Sequence, residues 1–322
     1  MSGIYLHEIN MKRESKSFTD ALYAVLTAAG LFEGPKYMLS GLSGMAFKFT
    51  VHEQLLPFSV TAYGQWGLEH GPAIDNLGLW TAFDAGRTRH PTFRFYQQDA
   101  LRWIRESLDR GVGVIYWIPE FGVIRGYDDD DGVFYVQNGW SEDDEIVLYD
   151  NMGINFTPFW YVRVFAERVE VPLDQQVLES VRLAIHDWDT PFKTLPDKAI
   201  ASGKLAYMFL AQGLESGQFD EGGAKYIIDS YKYSRLEIKQ YLADVRTLWP
   251  ELDQAYSFYA ELAEAVSDIG LGQDGGISRA IERLRLAEKL EDLAVDQFRL
   301  LSAQYPDLKR SIVTRWSAHT AR

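Results

Sequence analysis

The sequence predicts an α+β domain over residues 1–168, followed by an all-α helical domain over residues 169–322. Up to about residue 165, short apolar runs rich in β-branched and aromatic residues alternate with turn residues, which is typical of an antiparallel sheet. From Leu173 onward the apolar residues recur only at the spacing of helices. The two patterns meet near residues 166–175, and the domain boundary is therefore predicted there.

Composition and charge limit the classes of protein to which this chain can belong. Hydrophobic residues make up 47% of the 322 residues, which is enough for a sizeable core, and no apolar run approaches the roughly 20 residues of a membrane helix. The chain start lacks the basic and apolar regions of a signal peptide, so a cytoplasmic protein is expected. A net charge of −14 disfavours nucleic-acid or anionic-membrane partners. The absence of Cys excludes disulfides, thiolate metal ligands and a cysteine nucleophile.

The first predicted element is a helix over residues 17–30. Apolar residues recur at helical spacing from Ala21 to Ala29, and Gly30 is a typical stop signal. Ser17 is the predicted N-cap, with Asp20 at the spacing of a capping box. The elements predicted after it are strands over residues 46–51 and 58–63, a short helix over 73–79, and an amphipathic helix over 96–109 that ends at Gly111.

Residues 113–128 predict two core strands and the junction between them. Glu120 lies at that junction among large apolar residues, where a carboxylate is costly unless it is hydrogen-bonded or paired. Its pKa is expected to rise if it is buried without a cation and to fall if an Arg meets it. A ligand-contacting role and a structural ion pair are both open for Glu120. The next predicted elements are an acidic hairpin turn over residues 128–132 and strands over 132–138, 145–149 and 159–165.

The C-terminal half predicts antiparallel helices joined by short Gly-rich loops. The aromatic and apolar stripes along them are interpreted as core rather than as a cofactor site. The predicted helical segments are 198–214, 224–249, 251–269 and 281–298, with loops at 215–218 and 270–276.

No metal ion or cofactor is predicted. The six His residues include no pair at metal-ligand spacing, and His70 and His90 are interpreted as surface residues of Gly- and Pro-flanked loops. The acidic run 128–131 fails the EF-hand pattern, because Tyr127 occupies the first ligand position. Residues 41–44 lack the glycines and the Gly-Lys-Ser/Thr sequence of nucleotide-binding loops.

The order of elements resembles the papain-like fold of bacterial bacteriocin-leader-processing peptidases, and most closely the N-terminal domain of the butirosin biosynthesis protein H family. The segments that carry this resemblance are residues 17–22, 41–47 and 120–128, and the helical remainder around residues 206–207 and 235–242 is also similar to the region that follows such domains. The resemblance covers most of the chain and implies a cleft that holds a Cys nucleophile, a His base and an orienting Asn.

At the matching catalytic places this chain has Ser17 for the Cys, Glu120 for the His, and Asn138 for the orienting group. A Ser hydroxyl is far less acidic than a thiol, and a Glu with an ordinary pKa of about 4.3 is a weak base for it. The two replacements therefore argue for loss of the ancestral reaction. A helix N-cap is the alternative role for Ser17, and a hairpin-turn residue is the alternative for Asn138.

Three functions remain open from the sequence. In the first, a non-catalytic papain-like domain retains its cleft for a small acyl, peptidyl or amino-bearing metabolite, while the helical domain walls that cleft or mediates self-association. In the second, a Ser-dependent acyltransferase or amide hydrolase uses Ser17 with Glu120. The third is a scaffold whose helical half binds another protein, which would require an exposed apolar patch.

Overall fold

The computed structural model of this chain describes residues 3–194, 197–272 and 276–307. Its strands are β1 (Gly3–Tyr5), β2 (Thr50–His52), β3 (Leu79–Arg87), β4 (Val114–Trp117), β5 (Phe121–Asp128), β6 (Val133–Gln137), β7 (Glu145–Leu148), β8 (Phe159–Arg168) and β9 (Ile200–Ser202). Its helices are α1 (Ser17–Ala28), α2 (Lys36–Leu42), α3 (Trp66–Asn76), α4 (Phe93–Asp109), α5 (Leu173–Asp189), α6 (Lys204–Ser216), α7 (Glu221–Val245), α8 (Pro250–Ser267) and α9 (Gly276–Gln304).

The chain divides into two compact units, and neither is a single stretch of sequence. Unit 1 comprises Met1–Gly34 and Gly78–Glu170, and unit 2 comprises Pro35–Leu77 and Val171–Arg322. The chain passes between the units three times, and the third passage, after Glu170, lies close to the predicted boundary after residue 168. Residues 35–77, which the sequence analysis placed in the first domain, belong instead to unit 2, because their contacts lie with the C-terminal helices.

Unit 1 is built on a seven-stranded antiparallel sheet with the order β3-β8-β4-β5-β6-β7, and β1 pairs with β5. Helix α4 packs on one face, where Ile104 lies in an apolar cluster with Val114, Ile124 and Val162. Helix α1 contacts β4 and β5, and the Phe18 ring meets the Phe121 ring at a centroid distance of 5.3 Å. The expected α+β class is therefore observed, with an antiparallel sheet and helices packed on it.

Unit 2 is mainly helical but contains a two-stranded antiparallel sheet, β2 with β9. The prediction of an all-α region after residue 168 is therefore wrong at β9. The core of this unit holds the buried carboxylate Glu291 of α9, which accepts hydrogen bonds from the hydroxyls of Tyr207 and Tyr259. Arg235 of α7 donates to both Glu291 oxygens at 2.7 and 2.9 Å. Four helices, α6 to α9, thus meet at one satisfied polar group.

The strand predicted over residues 58–63 is wrong, because Pro57–Val60 forms a 3₁₀ helix. The hydroxyls of Ser59 and Thr61 each donate to the carbonyl oxygen three residues earlier, at 2.8 and 3.1 Å. Such local side-chain bonds stabilise a turn in place of a strand ladder, and the alternation of apolar residues does not reveal them.

Two neighbouring segments also differ from the prediction. Over residues 46–51 the chain forms a 3₁₀ turn at Met45–Phe47 before the strand begins at Thr50, because Gly44 has a left-handed conformation with φ of 73°. The short helix predicted over residues 73–79 is helix α3, which begins earlier and ends at Asn76. Strand β3 begins at Leu79 and was missed, because its apolar residues occur in adjacent pairs and do not alternate with polar ones.

Candidate functional site in unit 1

Ser17 and Glu120 lie 103 positions apart in the sequence, and the fold brings their side chains together. Ser17 is the first residue of α1, and Glu120 immediately precedes β5 in the β4–β5 hairpin. The Ser17 hydroxyl donates a hydrogen bond to Glu120 Oε2 at 2.5 Å. The backbone N–H of Phe121 donates to Ser17 Oγ at 3.3 Å. Ser17 therefore joins the start of the helix to the hairpin through two hydrogen bonds.

The predicted N-cap role of Ser17 is wrong. Lys16 occupies the N-cap position, and the Ser17 hydroxyl is directed to Glu120 rather than to the helix backbone. The predicted capping box is not formed either, because Ser17 is not the N-cap residue and Asp20 bonds to the chain before the helix. The Asp20 carboxylate accepts the backbone N–H groups of Glu14 and Ser15 at 2.9 and 3.2 Å. The helix start is thus held by Asp20, which leaves the Ser17 hydroxyl to the hairpin.

The Glu120 carboxylate lies in a mixed environment. Its side chain keeps 27% of its surface exposed, and Arg13 Nη1 lies 3.7 Å from Glu120 Oε2. Burial raises the pKa of Glu120, while the Arg13 charge and the Ser17 hydrogen bond oppose that rise and the charge of Asp20 adds to it. An Arg partner was expected to lower the pKa of Glu120. Burial outweighs the cation here, so the net direction is upward.

Arg13 is a residue of this site that sequence reasoning missed. Its side chain is only 3% exposed, and Nη2 donates to the backbone oxygen of Asn138 at 2.9 Å. The guanidinium also lies over the Trp140 ring, 5.3 Å from its centroid. Arg13 occupies an irregular segment before α1, where no periodicity marks it. The only usable signal was the need of Glu120 for a cation.

The side chain of Asn138 forms no hydrogen bond with Ser17 or Glu120. Its Nδ2 group donates to the Glu145 carboxylate, and its Oδ1 accepts the backbone N–H of Trp140 at 2.8 Å. The residue begins the connection between β6 and β7, as its alternative role as a turn residue predicted. Its link to Glu120 is indirect: the backbone oxygen of Asn138 accepts a hydrogen bond from Arg13, and Arg13 lies beside Glu120.

The two side chains differ in what they offer to a ligand. Ser17 is fully buried, and its oxygen both donates to Glu120 and accepts from Phe121. The hydrogen bonds and the ion pair that the described residues make with the Glu120 side chain all involve Oε2. The other carboxylate oxygen is therefore the atom through which this pair can accept a hydrogen bond from a ligand.

Metal-binding groups are not found among the described residues, in which no cluster of three or more His, Asp or Glu side chains could hold an ion. His70 was predicted to lie on the surface, but it is fully buried in α3 and hydrogen-bonded to the Tyr63 hydroxyl at 2.7 Å. The acidic run after β5 forms the predicted hairpin turn, in which Asp128 Oδ1 accepts the N–H of Asp130 at 2.8 Å. Within the described ranges no helix is long and apolar enough to cross a membrane.

Comparison with known proteins adds no family to this geometry. The chain matches no protein-family model and no curated protein.

Proposed function

We propose that unit 1 is a papain-like domain without catalytic activity that binds a small amino-bearing metabolite at Glu120. The proposal is supported by the contact between the N-terminus of α1 and the β4–β5 hairpin. In the papain-like fold that the sequence resembles, the nucleophile lies at the first of these places and the base at the second. Ser17 and Glu120 stand at those two places. Ser17 has the role of a structural hydrogen-bonding residue.

The observation that carries this proposal is the difference in exposure between the two side chains. A nucleophile must present a lone pair to an incoming carbonyl carbon, but Ser17 is 0% exposed and accepts the Phe121 N–H. Glu120, by contrast, is 27% exposed beside it. A ligand can therefore reach the carboxylate without displacing the serine.

The hydrogen-bonding properties of the Glu120 carboxylate indicate which ligand group it can bind. An ionised carboxylate accepts hydrogen bonds only, and bonds from a charged donor such as an ammonium are about twice as strong as neutral ones. Among acyl, peptidyl and amino-bearing metabolites, a free amino group is the part that Glu120 can bind. The positive charge of an ammonium at this position would also oppose the rise in the pKa of Glu120 that burial causes.

A chemical-shift titration of the full chain with glycinamide and acetamide tests this proposal, because the two probes share an amide and differ in the amino group. Glycinamide is expected to bind more tightly than acetamide at neutral pH. Its affinity is expected to fall as pH decreases through the raised pKa of Glu120, because protonation removes the charge that holds the ammonium. The substitution Glu120→Gln should abolish the difference between the probes.

The control is Glu142→Gln, which removes the same charge from an exposed position of unit 1. It should preserve the preference for glycinamide. Equal binding of the two probes by the unmodified protein, or an undiminished preference in Glu120→Gln, would show that Glu120 is not an amine site.

A second candidate function is Ser-dependent acyl transfer or amide hydrolysis. The 2.5 Å bond from Ser17 to Glu120 and the raised pKa of that carboxyl favour it, because a general base works best near the operating pH. In this reaction Glu120 would take the hydroxyl proton while Oγ attacks the acyl carbon, and it would return that proton to the alcohol or amine that departs as its bond to the acyl carbon breaks. Mass spectrometry after treatment with p-nitrophenyl acetate tests it. Acetylation of Ser17 that is lost in Ser17→Ala supports catalysis, and unmodified Ser17 counts against it.

A further inference from the structure

Arg163 is a fully buried cation in the sheet of unit 1. It lies on β8, paired with Phe83 of β3 on one side and Ile115 of β4 on the other, and its exposure is 0%. Its Nε donates to the Tyr161 hydroxyl at 2.5 Å, and Nη1 makes a long contact of 3.4 Å to Thr81 Oγ1. The guanidinium carbon lies 4.5 Å from the centre of the Phe83 ring. Its surroundings are therefore aromatic rings and neutral hydroxyls.

The charge of Arg163 is not neutralised by the described part of the chain. No ion pair to a carboxylate is formed by this residue there, and its Nη2 has no hydrogen-bond partner. The cation–π contact with Phe83 compensates only part of the cost, since such a contact stabilises a cation less than the loss of hydration destabilises an unpaired buried ion.

Arg235 in unit 2 provides an internal comparison. It is buried to the same degree, at 1% exposure, but it meets the Glu291 carboxylate through two parallel hydrogen bonds, from Nε to Oε2 at 3.2 Å and from Nη2 to Oε1 at 2.7 Å. The same molecule thus satisfies one buried guanidinium completely and leaves the other without a counterion. Buried charges in proteins are paired or bind ions, and Arg163 lacks the partner that this rule requires.

We propose that Arg163 Nη2 is the binding position for a small monoanion, either a carboxylate or a halide. A water molecule could accept the Nη2 hydrogen bond but would leave the guanidinium charge uncompensated. A single negative charge matches the single positive charge, whereas a dianion would leave an excess in a region of low dielectric constant. The Thr81 hydroxyl donates to the backbone oxygen of Val164 at 2.6 Å, so the anion is held by the arginine rather than by this hydroxyl.

Thermal unfolding of the full chain at constant ionic strength tests the proposal. Sodium gluconate, whose anion is large, is replaced stepwise by sodium chloride or sodium acetate. The unfolding midpoint is expected to rise by a few degrees and to saturate, because an anion that binds only the folded state stabilises it by mass action. A rise with acetate alone identifies a carboxylate site, and a rise with both identifies a general monoanion site.

The substitution Arg163→Met should abolish this dependence, because it retains an apolar side chain of similar length and removes the charge. Arg87→Met is the matched control, since Arg87 is an exposed residue of the same sheet and its loss changes the net charge equally. Its dependence on the anions should equal that of the unmodified protein. An equal dependence in Arg163→Met would overturn the proposal.

A second measurement does not rely on the folding of the variant. Crystals of the unmodified protein grown in sodium bromide should show an anomalous peak within hydrogen-bond distance of Arg163 Nη2. A map that shows bromide at other positions and none at Arg163 would also overturn the proposal.

Discussion

Ser17 connects two distant parts of unit 1 through a single oxygen atom. The hydroxyl donates to Glu120 Oε2, and its lone pair accepts the N–H of Phe121, so the start of α1 and the β4–β5 hairpin share this residue. The half-buried Glu120 carboxylate and the buried N–H of Phe121 both use this hydroxyl, and a polar group that loses such a partner carries a desolvation penalty. The serine therefore has a structural function that is independent of any reaction.

The substitution Ser17→Ala is expected to lower the free energy of unfolding by about 1–3 kcal/mol, because it leaves the Phe121 N–H and Glu120 without this partner. Urea denaturation measures the change. Ser141→Ala, at an exposed loop position of unit 1, is the control and should stay within about 0.5 kcal/mol of the unmodified protein. If both variants lose the same small amount, the Ser17 bonds do not stabilise the fold.

At the scale of elements, β5 is the strand on which the site depends. It pairs with β4, β6 and β1 along its length, and Gly122 lies two residues after Glu120. A Cβ atom at Gly122 would lie 2.6 Å from the backbone oxygen of Gln137 and 2.8 Å from Ile118 Cδ1. The close approach of β6 to β5 at this point therefore requires glycine.

The substitution Gly122→Ala should destabilise unit 1 by about 1–3 kcal/mol, the usual cost of overpacking a filled interior. The matched control is Gly86→Ala in β3, where the nearest atom to the added Cβ is Trp160 Nε1 at an ordinary contact distance of 3.5 Å. Chemical denaturation should show a loss for Gly122→Ala and little change for Gly86→Ala. Similar effects of both would contradict the role of the close approach at β6.

At this scale, the elements that could be predicted from the sequence are those whose residue pattern is local. Helices α1 and α4, the two central strands and helices α6 to α9 have apolar residues at a regular period, and the sequence predicted them, whereas α5 was missed. The segment Pro57–Val60 has the composition of a strand, but its turn depends on hydroxyl-to-carbonyl bonds. Residue type alone does not specify whether those bonds form.

At the scale of the whole molecule, the acidic chain places opposite charges in the interior of unit 2. Asp187 of α5 contacts the ammonium groups of Lys48 and Lys193, and Glu69 contacts the same two ammonium groups. All four side chains are largely buried. Burial alone would raise the pKa of Asp187, but the charges of Lys193 and Lys48 outweigh it and hold the pKa of this carboxyl well below its usual range.

This depressed pKa predicts how stability changes in acid. A carboxyl whose pKa is lower in the folded state stabilises that state above its unfolded pKa of about 3.9, and the contribution is lost as pH falls toward the folded pKa. Urea denaturation across this pH range should therefore show a loss of stability in the unmodified protein that is smaller in Asp187→Asn. The opposite sign holds for Glu120 in unit 1, whose pKa is raised.

At neutral pH, Asp187→Asn should cost about 3–5 kcal/mol, because it leaves two buried ammonium groups with one carboxylate. The control is Asp229→Asn, which removes an exposed partner of Lys225 in α7 and should change stability by less than about 1 kcal/mol. Equal effects of the two substitutions at neutral pH would contradict a stabilising role for the buried charges.

The sequence by itself determined the α+β class, most of the helices, the central hairpin and the pairing of Ser17 with Glu120 as a candidate site. The fold class, the helices and the hairpin follow from local periodicity, and the pairing follows from the resemblance to the papain-like fold. Only the tertiary structure decided that Arg13 lies beside Glu120, that Asn138 bonds to Glu145 instead, and that residues 35–77 belong with the C-terminal helices. The physical reason is that exposure and long-range contacts depend on packing between segments far apart in sequence, and a local pattern contains no information about them.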